Sequence, residues 1–80
     1  MSESVKQILL SLLMVGAQSR KSAIEKKNLA ERSKLEEKEL NTKIDSLIEE
    51  GYIKVEWSKD NEVWIYLTPR GVVAASSIYS

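Results

Sequence analysis

The chain carries little of what catalysis needs. It has neither histidine nor cysteine, which removes the commonest general base, the commonest metal ligand and every thiol nucleophile. The adjacent acids Glu49 and Glu50 fall at a predicted helix end with no pocket partner in view. The hydroxyls have no histidine to activate them, and three glycines are too few for a phosphate-cradling loop. No enzymatic role, metal or cofactor is therefore expected. What remains is charge and aromatic surface. Twelve basic and twelve acidic residues cancel, and a neutral domain is not the usual footprint of a nucleic-acid binder. The charge is polarised, however. Residues 20–43 hold eight basic and five acidic side chains, a balance of +3, and residues 44–66 hold two and six, a balance of −4. A polarised surface can still steer toward phosphate. Trp57, Trp64 and Tyr66 form a separate aromatic concentration.

Those charges need elements to hold them. Val5, Ile8, Leu9, Leu12 and Leu13 recur at i, i+3, i+4, i+7 and i+8, one apolar stripe of a helix over about 5–17. Ser4 and Gln7 have the spacing of a capping box, and Gly16 with the polar run 18–22 ends the helix. Met14 and Val15 widen its apolar surface, as more core or as contact with a second subunit. A second helix is expected over about 25–33, packing Leu29 and the small Ala30, with Ile24 before it and Leu35 after it. A third, over about 37–50, buries Leu40, Ile44, Leu47 and Ile48. It leaves Lys38, Glu39, Asn41, Thr42, Lys43, Asp45 and Ser46 open. Glu36, Glu37 and Glu39 suit the positive end of its dipole, and Gly51 suits its C-terminal stop.

Tyr52 to Ser58 and Glu62 to Thr68 alternate as two strands, with turn chemistry in Ser58-Lys59-Asp60-Asn61. Ile53, Val55 and Trp57 share one face of the first strand. Val63, Ile65 and Leu67 share one face of the second. Trp64 and Tyr66 fall on the opposite face, where the last helix or a partner subunit should cover them, with base stacking as a third option. Thr68-Pro69 is a helix start, a capping hydroxyl followed by proline at the first helical position. It opens a short helix over about 69–77.

Eighty residues make one domain, 1–80. A chain of this length buries only roughly 60–65% of its unfolded surface, so a homodimer is expected, through the first and last helices. Ile78 and Tyr79 either fray or complete an apolar seam with the first helix. No run approaches the ~18 apolar residues of a membrane span, and an intracellular, cytoplasmic location is expected.

The order of elements, helix-turn-helix followed by a β-hairpin, is that of an α+β winged helix. It has a three-helix core, a two-stranded wing and a short C-terminal helix. Leu29-Ala30-Glu31, Leu35, Leu40, Ile44, Leu47 and Glu50-Gly51-Tyr52-Ile53 resemble the winged-helix transcription regulators at the spacing those proteins use. Tyr66-Leu67-Thr68-Pro69-Arg70-Gly71 resembles the segment that follows the wing in MarR-like and PadR-like regulators. The resemblance covers roughly residues 5–75, and the small size is similar to that of archaeal and archaeal-virus regulators.

The resemblance implies sequence-specific binding of double-stranded DNA. The third helix would enter the major groove with Lys38, Glu39, Asn41, Thr42 and Lys43. Lys26 and Lys27 would meet the backbone from the second helix, and Lys59 would do so from the wing tip. Asn41 would pair with adenine and Thr42 with a thymine methyl. The chain departs from the family pattern at Lys34, where many such motifs have glycine. It departs again in the acids Glu36, Glu37 and Glu39 and in the wing acids Glu56, Asp60 and Glu62. The acidic wing, the zero net charge and the hairpin tryptophans favour an alternative, a winged helix used as a protein-interaction module.

Overall fold

The computed structural model describes residues 1–79; Ser80, part of the expected domain, lies outside them. The first helix, α1 (Glu3–Val15), is capped by Ser2, whose hydroxyl accepts from the Val5 amide at 3.2 Å. The cap is therefore Ser2, and Ser4 sits inside the first turn, where its hydroxyl instead donates to the Glu39 carboxylate. Gly16 adopts a left-handed φ of 77°. The amides of Gly16 and Ala17 turn back onto the carbonyls of Leu13 and Leu12, a Schellman stop that ends the helix two residues before the expected Ala17. Ala17 then buries, and its carbonyl accepts the Leu67 amide at 2.7 Å. That bond ties the end of α1 to the hairpin.

A short 3-10 turn (Arg20–Ser22) precedes a two-residue strand, β1 (Ile24–Glu25), and then α2 (Lys26–Ser33). The turn to the next helix is made by Lys34 at φ 58°, ψ 34°, a conformation that costs a β-carbon-bearing residue about 1–2 kcal/mol. Ser33 is buried there without an unmet donor, because its hydroxyl bonds the Leu29 carbonyl at 2.7 Å. Next, α3 (Glu37–Glu49) buries Leu40, Ile44 and Leu47. Gly51, at φ 80°, turns the chain out of it, with the Tyr52 amide on the Leu47 carbonyl.

The hairpin strands β2 (Ile53–Trp57) and β3 (Val63–Leu67) pair antiparallel, with Val55 opposite Ile65 and Trp57 opposite Val63. The sheet has three strands rather than two, because β1 adds to the free edge of β3 with Ile24 opposite Ile65. Two residues are too few to show an alternating pattern, so this strand leaves no mark on the sequence pattern. Last, α4 (Pro69–Tyr79) starts at the Thr68 cap, whose hydroxyl accepts from the Gly71 amide at 3.0 Å and donates to the Gly51 carbonyl. The core gathers Ile8, Leu9 and Leu12 of α1 with Leu29, Leu40, Leu47, Ile53, Ile65, Leu67 and Ala75. α1 runs through its middle, touching α2, α3, β3 and, most extensively, α4.

Burial along the hairpin falls off toward its tip. Ile53 and Leu67 are buried, Val55 and Val63 half-buried, and Trp57 is 69% exposed. The alternation correctly puts Trp57 on the helix-facing side, but the hairpin extends past the helices, so nothing covers it. Ile48, expected in the core of α3, is 43% exposed for the related reason that it faces the same uncovered stretch.

Candidate nucleic-acid interface

A helix turns about 100° per residue, so the open side of α3 resolves into three rows. Lys38, Thr42, Asp45 and Glu49 point outward. Asn41, with Ile44 and Ile48 below it, points toward the hairpin. Glu39, Lys43 and Ser46 point toward the start of α1. The contacts agree with this division. Glu39 accepts from Ser4, and Lys43 and Thr42 line a groove with Met1, Ser2 and Val5. Asn41 lines a trough with Lys26, Ile44, Asp45, Ile48, Val55, Trp57 and Val63.

The eight side chains nominated from the sequence therefore do not form one patch. Lys26 and Asn41 are brought together: the Lys26 ammonium donates to Asn41 Oδ1 at 2.7 Å and stands 3.7 Å from Glu37 Oε1. Lys27 is exposed one residue on, beside a hollow that also holds Glu25, Asp60, Asn61 and Glu62. Lys38 is exposed on the outward row, and its carbonyl accepts the Thr42 hydroxyl at 3.1 Å. That bond turns the Thr42 hydroxyl back onto its own helix. Lys59 is exposed in the hairpin turn, whose Asp60 and Asn61 share a hollow with Glu37 of α3.

Of the acids that break the family pattern, Glu37 pairs with Lys26 at 3.7 Å, Glu62 accepts from the Ser58 hydroxyl at 3.4 Å, and two more are engaged elsewhere. Glu56 is bound by the Arg20 guanidinium at 3.0 Å and by the Tyr66 hydroxyl at 3.4 Å. Glu39 is turned onto Ser4. Both lie away from the outward row of α3, which itself carries Asp45 and Glu49 beside Lys38. Arg20 belongs to no motif, and only the third strand, which brings the 3-10 turn alongside β3, places it there.

The hairpin aromatics divide as the alternation predicts. Trp64 lies opposite Glu25 on the outer sheet face, in a depression flanked by Ala23, Ile24, Lys27, Asn28 and Glu31. The start of α2 and β1 flank this ring, in place of the last helix. Tyr66 is half-buried and held through its hydroxyl to Glu56. Met14, Val73 and Tyr79 are exposed on α1 and α4.

The α2–α3 helix-turn-helix packed on α1, the β2–β3 hairpin and the closing α4 define a winged-helix domain. Solved structures share it. A protein of Ralstonia eutropha JMP134 described as a "putative DNA-binding protein" superposes with a TM-score of 0.86 at 20% identity, over 100% of this chain and 99% of that one. The DNA-binding TubR fragment of Clostridium botulinum gives 0.80 at 22% identity, over 98% and 96%. A MarR-family transcriptional regulator of Silicibacter pomeroyi gives 0.75 at 19% identity, over 92% of this chain but 49% of its own, so the chain spans about half of that regulator. The MarR-like resemblance thus holds at the level of fold, and the archaeal one finds no support among these structures. No family model matches the sequence, and no curated protein is similar to it. No helix among the described residues is long and apolar enough to cross a membrane.

Proposed function

We propose that this domain binds double-stranded DNA sequence-specifically and acts as a dimeric transcription regulator inside the cell. The outward row of α3 would enter the major groove, and Lys27, Lys38 and Lys59 would meet the backbone on either side. The observation that carries the reading is the uncovered outer side of α3, which pairs an exposed cation, Lys38, with Thr42 and Asn41 beside it on a helix otherwise anchored by Leu40, Ile44 and Leu47. Two copies joined through the outer faces of α1 and α4, where Met14, Val73 and Tyr79 are exposed, would read half-sites about one helical turn apart. The test is enrichment from a random duplex library at two salt concentrations. A pseudo-palindromic motif lost at high salt is expected, because each phosphate contact contributes a log–log slope of roughly −0.9. No enrichment at either salt would overturn the reading.

A second reading has one observation in its favour. The trough between α3 and the hairpin is lined by Ile44, Ile48, Val55, Trp57 and Val63, an apolar surface with an exposed tryptophan that suits a protein better than a phosphate backbone. In that case the domain is a protein-interaction module, and its binding would be nearly independent of salt.

A further inference from the structure

Lys26 is the first residue of α2, where the helix dipole disfavours a cation. Nothing about helix stability therefore recommends a lysine at this position. Its side chain is nonetheless 23% exposed, folded down between Asn41 Oδ1 at 2.7 Å and Glu37 Oε1 at 3.7 Å. A free lysine reaching for phosphate would extend into solvent, and this one is held across the gap between α2 and α3.

The partner it holds is informative. An ammonium donates and cannot accept, so the group of Asn41 that faces Lys26 is the side-chain oxygen and not the amide nitrogen. An unheld asparagine presents either order of donor and acceptor by turning over its terminal amide. A pinned one presents a single order, with one oxygen lone pair occupied and the Nδ2 donors directed away. Bidentate recognition of adenine needs a donor toward N7 and an acceptor toward N6 in one fixed order. Glu37 Oε1, 3.7 Å from the same ammonium, gives it a second partner on α3.

We propose that Lys26 is a positioning residue for base recognition: it fixes the orientation of the Asn41 amide, so that the pair acts as one specificity determinant and Lys26 is not a phosphate contact. This rests on the DNA-binding reading above. It makes Lys26 differ in kind from its neighbour Lys27, which the structure leaves exposed.

The test uses the full chain with Lys26→Met, which keeps the aliphatic stem and removes the donor, and Lys26→Arg, which restores one. On DNA carrying the enriched motif and its single-base variants, Lys26→Met is expected to lower discrimination at one base pair roughly tenfold. It should leave affinity for unrelated DNA and the salt slope unchanged. Lys26→Arg should recover most of the discrimination. Asn41→Ala should lose the same discrimination and, combined with Lys26→Met, lose no more. In the DNA-free protein, the Asn41 side-chain amide resonances should shift in Lys26→Met. A uniform loss on all sequences with a salt slope shallower by about one contact would make Lys26 an ordinary phosphate contact and overturn the proposal. Unchanged Asn41 amide resonances would overturn it without reference to DNA. Failure of the wild-type chain to bind any DNA would overturn the DNA-binding reading itself, and the specificity role with it.

Discussion

Gly71 in the first turn of α4 lies against the carbonyl oxygen of Tyr52, so close that a methyl group built on it would stand 1.9 Å from that oxygen. The same methyl would stand 2.9 Å from the Tyr52 carbonyl carbon. Both obstacles are backbone, so neither can rotate away. The glycine lets α4 approach the point where the chain leaves α3 and enters the hairpin, and Arg70 lies over the Tyr52 ring at 5.1 Å on the same seam. Gly71→Ala is therefore expected to force α4 off the start of β2, at a cost of about 3 kcal/mol or more. Each kcal/mol moves the midpoint of a domain this size by roughly 4–8 °C. Thermal unfolding within about 2 °C of the wild type would mean that α4 does not pack as described.

Thr68 closes the same seam by hydrogen bonding. Its hydroxyl caps α4 at Gly71 and bonds the Gly51 carbonyl, and its amide bonds the Tyr52 carbonyl at 3.1 Å. Thr68→Val keeps the shape and the amide and loses both hydroxyl bonds, at an expected cost of about 1–2 kcal/mol. Thr68→Ser should recover most of it. Urea titrations of the three proteins check this, and equal midpoints for the valine and serine variants would rule out the cap as the cause.

An element is legible in the amino-acid sequence where its own pattern is strong, and illegible where contacts between elements decide. The stripe Ile8, Leu9, Leu12 and the row Leu40, Ile44, Leu47 are long enough to fix two helices. Thr68-Pro69 starts the last helix by local chemistry alone. The strand at Ile24–Glu25 is invisible because two residues carry no period, and with it go the Arg20–Glu56 pair and the setting of Trp64. The exposure of Trp57 and Ile48 depends on how far the hairpin extends past α3, a length that no alternation encodes. In the site, the residue types were legible and their grouping was not. Glu39, Asn41 and Lys43 read as one open face, yet Glu39 and Lys43 turn toward the start of α1 and Asn41 toward Lys26.

Lys34 carries strain that can be relieved. It holds a left-handed φ of 58° in the turn between α2 and α3. It is exposed, and its own amide bonds the Glu31 carbonyl at 3.3 Å, a bond that glycine keeps. Lys34→Gly trades about 1–2 kcal/mol of backbone strain against the greater freedom of glycine in the unfolded chain. A net stabilisation of about 0.5–1 kcal/mol is expected. A urea midpoint lower than the wild type would show that the lysine stem does more in this turn than the geometry suggests.

Ile53 and Trp57 stand on one face of one strand and should behave in opposite ways. Ile53 is 2% exposed at the base of the hairpin, and Trp57 projects from its end. Ile53→Ala leaves a cavity among Leu47, Leu67 and their neighbours and should cost about 2–5 kcal/mol. Trp57→Ala should cost under about 1 kcal/mol, although it removes the larger side chain. If Trp57→Ala destabilises as much as Ile53→Ala in the monomer, the tryptophan is covered and the hairpin packs more closely on α3 than described.

Lys27 separates the two functional readings. It is exposed at the start of α2, one residue from the pinned Lys26. Lys27→Ala is expected to weaken binding to every DNA sequence by a similar factor and to make the log–log salt slope shallower by roughly 0.9. It should leave the preferred motif unchanged. Competition binding of the motif and scrambled DNA at three salt concentrations gives both quantities together. A changed base preference with an unchanged salt slope would place Lys27 against a base and shift the docking of α3 by about a turn. No effect on either would remove the start of α2 from the DNA face and favour the apolar trough beside Trp57 as the binding surface.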